Sequence, residues 1–366
     1  MKAVTQQELS EPQPFSLVRV AVKATALAVA LVLGSFVVLG MIAAIFGYRY
    51  LSQIADTSGK TPSDLITLVK ATAAAAPRET NPVFLLLGTD TLTTRGDIPP
   101  LTDTMLLASL DLKTGSLRLL PLPRDIWNEA YKTKINALYA YGLDRNPDKP
   151  EQFPHEVLQE MTGVPIDYTI VIDMNTLSEL VDSLSGIAVP VPTSFIDDFF
   201  PNPEVDISTE RDPKKLYKTV TFVKGTETMS GERFLEFIRS RHSDSKEGTD
   251  LARSERQQIA LTALMQSMTE SSVLKNPNTL GKLLALYEAE LASALPLNDI
   301  VGIGKTLAQN STTGLSVTSQ VLSVQSPTKS GVLIHPDART TNNIWLYTIT
   351  DQKLFAKEVG LALNTL

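Results

Sequence analysis

Four groups of residues in this chain suit one chemical task, gripping a polyanion. They are Asp90 with Asp103, the Pro-Arg-Asp at 123–125, the pair Arg239 and Arg241, and the run Asp250-Leu-Ala-Arg-Ser-Glu-Arg-Gln257. The choice of arginine carries the reading. A planar guanidinium takes two phosphate oxygens in parallel bonds, where lysine offers a point charge. Five arginines fall between Arg233 and Arg256 in a chain whose net charge is −7. Asp90 and Asp103, at what read as adjoining strand ends, could together hold one Mg²⁺, a cation that favours a couple of carboxylates plus phosphate oxygens and water. Plainer roles exist for each: a turn or helix cap for the aspartates, a surface salt bridge for Arg124 and Asp125.

Arg239 and Arg241 end the apolar stretch Phe234-Leu-Glu-Phe-Ile238, which reads as a strand. Alternate strand residues share a face, and two guanidiniums side by side repel unless an anion or carboxylates lie between them. The run beginning at Asp250 opens a helix whose core-facing stripe is expected at Leu261, Leu264 and Met268. Followed backwards, that stripe passes through Gln257, Arg253 and Asp250. Thr249 or Asp250 serves as its N-cap. Arginines are out of place at the positive end of a helix, and a bound diphosphate would relieve the mismatch.

These residues need a scaffold. Val83-Phe-Leu-Leu-Leu87 runs into Gly88-Thr89-Asp90 and reads as a buried strand ending at a sheet rim, where α/β folds place ligands. Thr104–Leu110 and Ser116–Leu122 flank Lys113-Thr-Gly115 as a hairpin. Tyr168–Ile172 is another buried strand, followed by a helix from about Asn175 to Leu184. Residues 190–220 read as an extended excursion. The fold class expected is α/β, a three-layer αβα domain with a central mixed β-sheet, preceded by one N-terminal transmembrane helix. Residues 81–366 form that domain, 81–272 bearing the motifs. Residues 273–366, with helices near Leu280–Leu291 and Leu297–Gln309 and strands near Leu315–Val324 and Ile344–Ile349, either complete the sheet or make a small appended unit.

From Ala24 to Tyr48, 25 residues carry no formal charge, enough to cross a hydrocarbon core about 30 Å thick. The expected order is a cytoplasmic tail (1–18), a transmembrane helix (19–48), a stalk (49–80) and an extracytoplasmic domain, single-pass in the cytoplasmic membrane with the N-terminus inside. The 366 residues are 43% hydrophobic and 20% charged, as in globular proteins. An acidic chain argues against general nucleic-acid binding. The absence of cysteine excludes disulfides, thiolate metal sites and a Cys nucleophile. His155, His242 and His335 are the only histidines, and neither zinc spacing nor a glycine-rich phosphate loop is present.

The order Gly88-x-Asp90, Asp103-Thr104, Pro123-Arg124-Asp125, Lys134-Ile-Asn136, Asp167-Tyr168, Val181-Asp182-x-x-x-Gly186, Gly231, Arg239-x-Arg241 and Asp250-x-x-Arg253-x-x-Arg256-Gln257 resembles the LytR-CpsA-Psr family. The resemblance runs from about Val83 to Ala263. It implies a phosphotransferase of cell-wall assembly, moving a glycopolymer from a polyprenyl-diphosphate carrier at the lipid bilayer to a peptidoglycan hydroxyl with Mg²⁺ or Mn²⁺. It makes Asp90, Asp103 and Arg124 catalytic, with the two carboxylates on the metal. Arg124, Arg239, Arg241, Arg253 and Gln257 would bind the diphosphate, Asp250 would orient the arginines, and Lys134 would lie near the transferred sugar. Leu101 stands where the family often has arginine, and Arg95 is a candidate substitute. The alternative reading is a membrane-bound regulator, or a non-catalytic receptor for polyprenyl diphosphates or anionic glycans.

Overall fold

A computed structural model describes residues 41, 43–89, 100–202, 205, 210–243, 245–268, 270–310, 316–326, 328–341 and 344–365. The chain divides into a unit ending at Ser52 and one spanning Gln53–Leu366. Most of the expected span at 19–48 lies outside the described residues, as do Asp90 and Arg95. Among the described residues no helix is long and apolar enough to cross a membrane.

In the second unit the elements run α1 (Pro62–Ala73), β1 (Val83–Thr89), β2 (Thr102–Asp111), β3 (Ser116–Pro121), β4 (Trp127–Asn128), β5 (Thr133–Lys134), α2 (Leu138–Arg145) and α3 (Gln152–Thr162). Then come β6 (Tyr168–Asp173), α4 (Met174–Ser183), β7 (Ile187–Val191), β8 (Phe195–Pro201), β9 (Tyr217–Phe222), β10 (Gly225–Met229), α5 (Gly231–Arg239) and α6 (Asp250–Met268). The chain closes with α7 (Pro277–Leu286), α8 (Leu297–Asn310), β11 (Ser316–Ser319), β12 (Leu333–Ile334), β13 (Thr348–Ile349) and α9 (Gln352–Leu363).

The main sheet is mixed, in the order β11-β3-β2-β1-β6, with β1/β6 and β3/β11 parallel and the other pairs antiparallel. Strand residues alternate faces, and this one divides two layers. Leu85, Leu87 and Leu107 meet Leu158 of α3 and Phe355 of α9 on one side. Leu106, Ala108 and Leu119 meet Leu261 of α6 on the other. Helices therefore cover both faces, as expected.

A second core joins α4, α5 and α6 to the antiparallel β7/β10 and β8/β9 pairs through Val189, Phe222, Phe234, Phe237 and Leu264. Within the stretch expected as an excursion at 190–220, residues 195–201 and 217–220 pair as part of this packed β-structure. Two glycines set the fit. Gly186 sits at φ +86°, left-handed backbone that glycine adopts without strain. At Gly231 a Cβ would lie 2.2 Å from the Ser178 carbonyl oxygen, so α5 can approach α4 only without a side chain. The Gly231 N–H also donates to Asp182 Oδ1 at 2.8 Å.

The end of the stretch expected as a stalk is held against α8. Lys305 Nζ donates to the carbonyls of Ala73 and Ala75, each at 2.7 Å, and Thr306 Oγ1 to that of Arg78 at 2.8 Å. Arg78 continues the tie by donating to Asp167 Oδ1 (2.5 Å), while Asp167 Oδ2 accepts the Val83 N–H (2.8 Å) and fixes the start of β1.

Candidate functional site

The C-terminal end of β1, the N-terminal end of β2 and the C-terminal end of β6 share one rim. Gly88 pairs with Thr104, and Thr89 with both Thr102 and Asp173. Asp103 lies at this rim, half-buried, and Arg124 reaches it from the turn after β3, with Nη1 2.8 Å from Asp103 Oδ1. The row continues. Arg124 Nε is 3.6 Å from Asp125 Oδ2, and Lys134 Nζ donates to Asp125 Oδ1 at 2.6 Å. Backbone bonds hold the row in place: Asn136 N–H to the Arg124 carbonyl (3.2 Å), Ile135 N–H to the Ile126 carbonyl (2.9 Å), and Thr102 Oγ1 to the Asn136 carbonyl (3.1 Å). The Lys-Ile-Asn at 134–136 thus docks the arginine turn against β2. The result is four alternating charges, two acids and two bases, all about three-quarters buried.

A second cluster forms where α5 ends and α6 begins. Residues 231–239 are a helix, which corrects the strand expected at Phe234–Ile238. The apolar residues recur at helical spacing, so Phe234, Phe237 and Ile238 go inward. Glu236 is buried with them because Arg233 Nη1 (2.9 Å) and Lys218 Nζ (2.8 Å) pair with it. Arg239 is therefore the last helical residue, half-buried, its guanidinium 5.7 Å from the centre of the Phe200 ring. Arg241 lies beyond the Ser240 cap and is exposed.

The phase of α6 also differs from the expectation. Ala252, Arg256, Ala260 and Leu264 are the buried row. Arg253 and Gln257 are half-buried beside it, and Met268 is 37% exposed. Thr249 is the cap, its Oγ1 accepting the Ala252 N–H at 3.2 Å. The Asp250 side chain lies outside the described residues.

Arg256, only 2% exposed, is an internal clamp. Its guanidinium donates to the carbonyls of Phe237 (3.1 Å), Glu247 (2.8 Å) and Ser240, and to Glu247 Oε2 (3.0 Å). Burial pushes its pKa down, and Glu247 opposes that shift. Gln257 Nε2 adds a bond to the Ile238 carbonyl at 3.4 Å. From the other side Asp197, fully buried on β8, accepts the backbone N–H groups of Arg241 (3.0 Å) and His242 (3.2 Å) through Oδ2. The backbone carrying Arg239 and Arg241 is therefore pinned from two sides.

A LytR_cpsA_psr family profile matches residues 48–357. The chain belongs to the LytR_cpsA_psr family. Among its relatives, the polyisoprenyl-teichoic acid–peptidoglycan teichoic acid transferase TagV of Bacillus subtilis strain 168 is 30% identical over 195 residues, 52% of this chain and 44% of TagV. The transferase TagT of the same organism is 25% identical over 225 residues, 60% of this chain and 62% of TagT. The chain spans about half the length of these curated relatives. The crystal structure of B. subtilis TagV shares the fold, with a TM-score of 0.52 at 20% identity over 78% of this chain and 98% of that one.

In this LytR_cpsA_psr chain the contacts between described residues gather the expected site residues into two clusters. Asp103, Arg124 and Lys134 form one; Arg239, Arg241, Arg253 and Gln257 flank the other. Sequence reading missed Asp125 as the link between Arg124 and Lys134, and missed Asp197 and Arg256 as scaffold. The available signal was Arg256 at four-residue spacing from Ala252 and Ala260. Among the described residues no three His, Cys, Asp or Glu side chains gather as a metal cage. Asp103 offers one carboxylate at the rim, a hard oxygen ligand that would suit Mg²⁺ alongside phosphate oxygens and water.

Proposed function

We propose that this protein is a phosphotransferase that moves a glycopolymer from a polyprenyl-diphosphate carrier to a peptidoglycan hydroxyl. The observation that carries the reading is the Asp103–Arg124 pair at the sheet rim, extended by Asp125 and Lys134. It is supported by relatives whose names specify teichoic acid transfer to peptidoglycan. In this reading the two clusters face one cleft. Arg124, Arg239, Arg241, Arg253 and Gln257 neutralise the diphosphate, Asp250 orients the arginines, and Lys134 lies near the sugar.

The acceptor hydroxyl attacks the phosphorus bearing the sugar, the bond to the bridging oxygen breaks, and polyprenyl phosphate leaves. Positioning and charge neutralisation dominate such a transfer. Asp103 or Asp90 takes the hydroxyl proton. The same two carboxylates would hold Mg²⁺ or Mn²⁺, which when bound neutralises charge on the phosphoryl oxygens. Segment 19–48 spans the cytoplasmic membrane with the N-terminus inside and the domain outside, next to the lipid carrier. No nucleic acid is involved.

The test is transfer of a saccharide from polyprenyl diphosphate to a peptidoglycan oligomer by the purified chain with Mg²⁺, in parallel with Asp103→Asn. The variant should bind the lipid diphosphate and fail to transfer, because the carboxylate acts mainly on the transition state. Full turnover by Asp103→Asn would remove that carboxylate from catalysis, whereas binding without transfer by the unaltered chain would favour a receptor.

A further inference from the structure

Outside the two clusters, α3, β4, β13 and the start of α9 enclose a cavity of about 360 Å³. That lies at the lower end of the range for small-ligand pockets, about 300–1,000 Å³, and admits a short saccharide rather than a polymer. Bonds within the protein fix its walls. Gln352 Nε2 donates to the Met161 carbonyl, which ties α9 to α3, and Asp351 caps α9 through Oδ1 on the Leu354 N–H at 2.9 Å. One polar group is left over. Asn128 is 8% exposed and lines the cavity. Its Oδ1 accepts the Tyr131 N–H at 3.0 Å, which sets the orientation of the amide, and its Nδ2 has no partner among the described residues. A buried donor left so is a cost to the fold unless water or a ligand takes it.

The rest of the lining narrows the ligand. Trp127 and Tyr131 supply aromatic surface, and Phe153 backs Tyr131 edge-on with ring centres 4.9 Å apart. Glu129, Glu160 and Asp351 supply carboxylates. No lysine or arginine stands among the described lining residues, although Lys132 pairs with Glu129 from outside at 2.6 Å. A phosphate would suit Asn128 but meets these acids. An ammonium group would suit the acids and the aromatic faces but offers Asn128 only more donors. The ligand that satisfies all three is uncharged. It brings a carbonyl for Nδ2, hydroxyls for the carboxylates and an apolar ring face for the aromatics. An acetamido sugar has each of these.

We infer that this cavity binds an N-acetylated hexosamine. It borders the charged row at the sheet rim. Trp127 stands directly opposite Lys134 in the β4/β5 pair, where facing side chains lie about 4.5–5.5 Å apart, and Lys134 Nζ bonds Asp125 at 2.6 Å. The sugar chemistry rests on the cavity alone. Its place in the reaction rests on the proposed phosphotransfer, in which either the peptidoglycan strand or the saccharide on the lipid carrier delivers the acetamido sugar.

The chain has two tryptophans, so Trp345→Phe leaves Trp127, in the cavity wall, as sole reporter. Titration of that full-length variant with a tetramer of β-1,4-linked N-acetylglucosamine should change the indole emission saturably. The matching tetramer of glucose, which lacks the acetamido group, should bind about tenfold more weakly, the loss of one hydrogen bond to Asn128. Asn128→Asp keeps the acceptor for the Tyr131 N–H and removes the free donor, so it should erase that preference. The comparison of the two sugars stands even if this variant fails to fold. Equal binding of the two tetramers, or emission that neither moves, overturns the inference. So does saturation by a lysine-containing tripeptide and by neither sugar, which would make the cavity an ammonium site. Pre-loading with the glycosylated lipid diphosphate separates the sources: an undiminished tetramer signal puts the acceptor strand in the cavity, and competitive loss puts the donor's sugar there. Saturable sugar binding in a chain that never transfers would uphold the cavity and sink the phosphotransfer.

Discussion

Replacing Arg256 by Met probes the scaffold under the arginine loop. Methionine keeps much of the volume but none of the donors. Glu247 is 21% exposed and can recover water, so its carboxylate contributes little to the cost. The carbonyls of Phe237, Ser240 and Glu247 are what the guanidinium satisfies, and at Phe237 and Ser240 those bonds are buried. Leaving buried groups unpaired costs about 1–3 kcal/mol each. Relaxation of the short segment Lys246–Gly248 recovers part of it, which leaves a loss of about 3–5 kcal/mol, as for other broken buried pairs. At roughly 2 °C per kcal/mol for a large domain, the melting temperature should fall by about 6–10 °C. Scanning calorimetry of the purified chain measures that. Hydrogen exchange should localise the loosening to residues 237–248. A melting temperature within about 2 °C of the parent would mean that water replaces the clamp, and the argument for a pinned loop would fail.

Three further outcomes follow from the geometry. Arg239→Ala and Arg241→Ala should each weaken lipid-diphosphate binding by about 10–100-fold, since a charged hydrogen bond contributes roughly 1.5–3 kcal/mol; Lys at either position should restore only part. Undiminished affinity in calorimetric titration would remove that arginine from the site. Gly231→Ala should destabilise the fold by about 1–3 kcal/mol in urea unfolding, because the added methyl meets the Ser178 carbonyl at 2.2 Å; an unchanged midpoint would show that α4 and α5 separate freely. Protease added to intact spheroplasts should degrade the domain, and protection until lysis would overturn the outward orientation.

Local rules explain what could be read early. The buried strand at Val83, the Lys113-Thr-Gly115 hairpin, the strand at Tyr168 and the helix after it each follow from short-range pattern. The family resemblance rested on residue types in order, which folding does not alter. Arg124 and Asp103 were legible as site candidates for the same reason. The structure decided which charged residues are held inside the protein and which stand at its surface. Phe234–Ile238 contains the helical spacing 234, 237, 238, yet Glu236 among apolar neighbours admits more than one reading. Only Arg233 and Lys218, brought in by folding, make a buried glutamate tolerable there. In α6 the alanines at 252 and 260 give too weak an apolar signal to fix the helix phase, so Arg253 looked inward when Arg256 is. Asp197 sits 44 residues from Arg241, and no sequence period links them. Composition and local period determine which segments form strands and helices. Which buried charge finds a partner depends on contacts between distant segments, and those exist only in the folded chain.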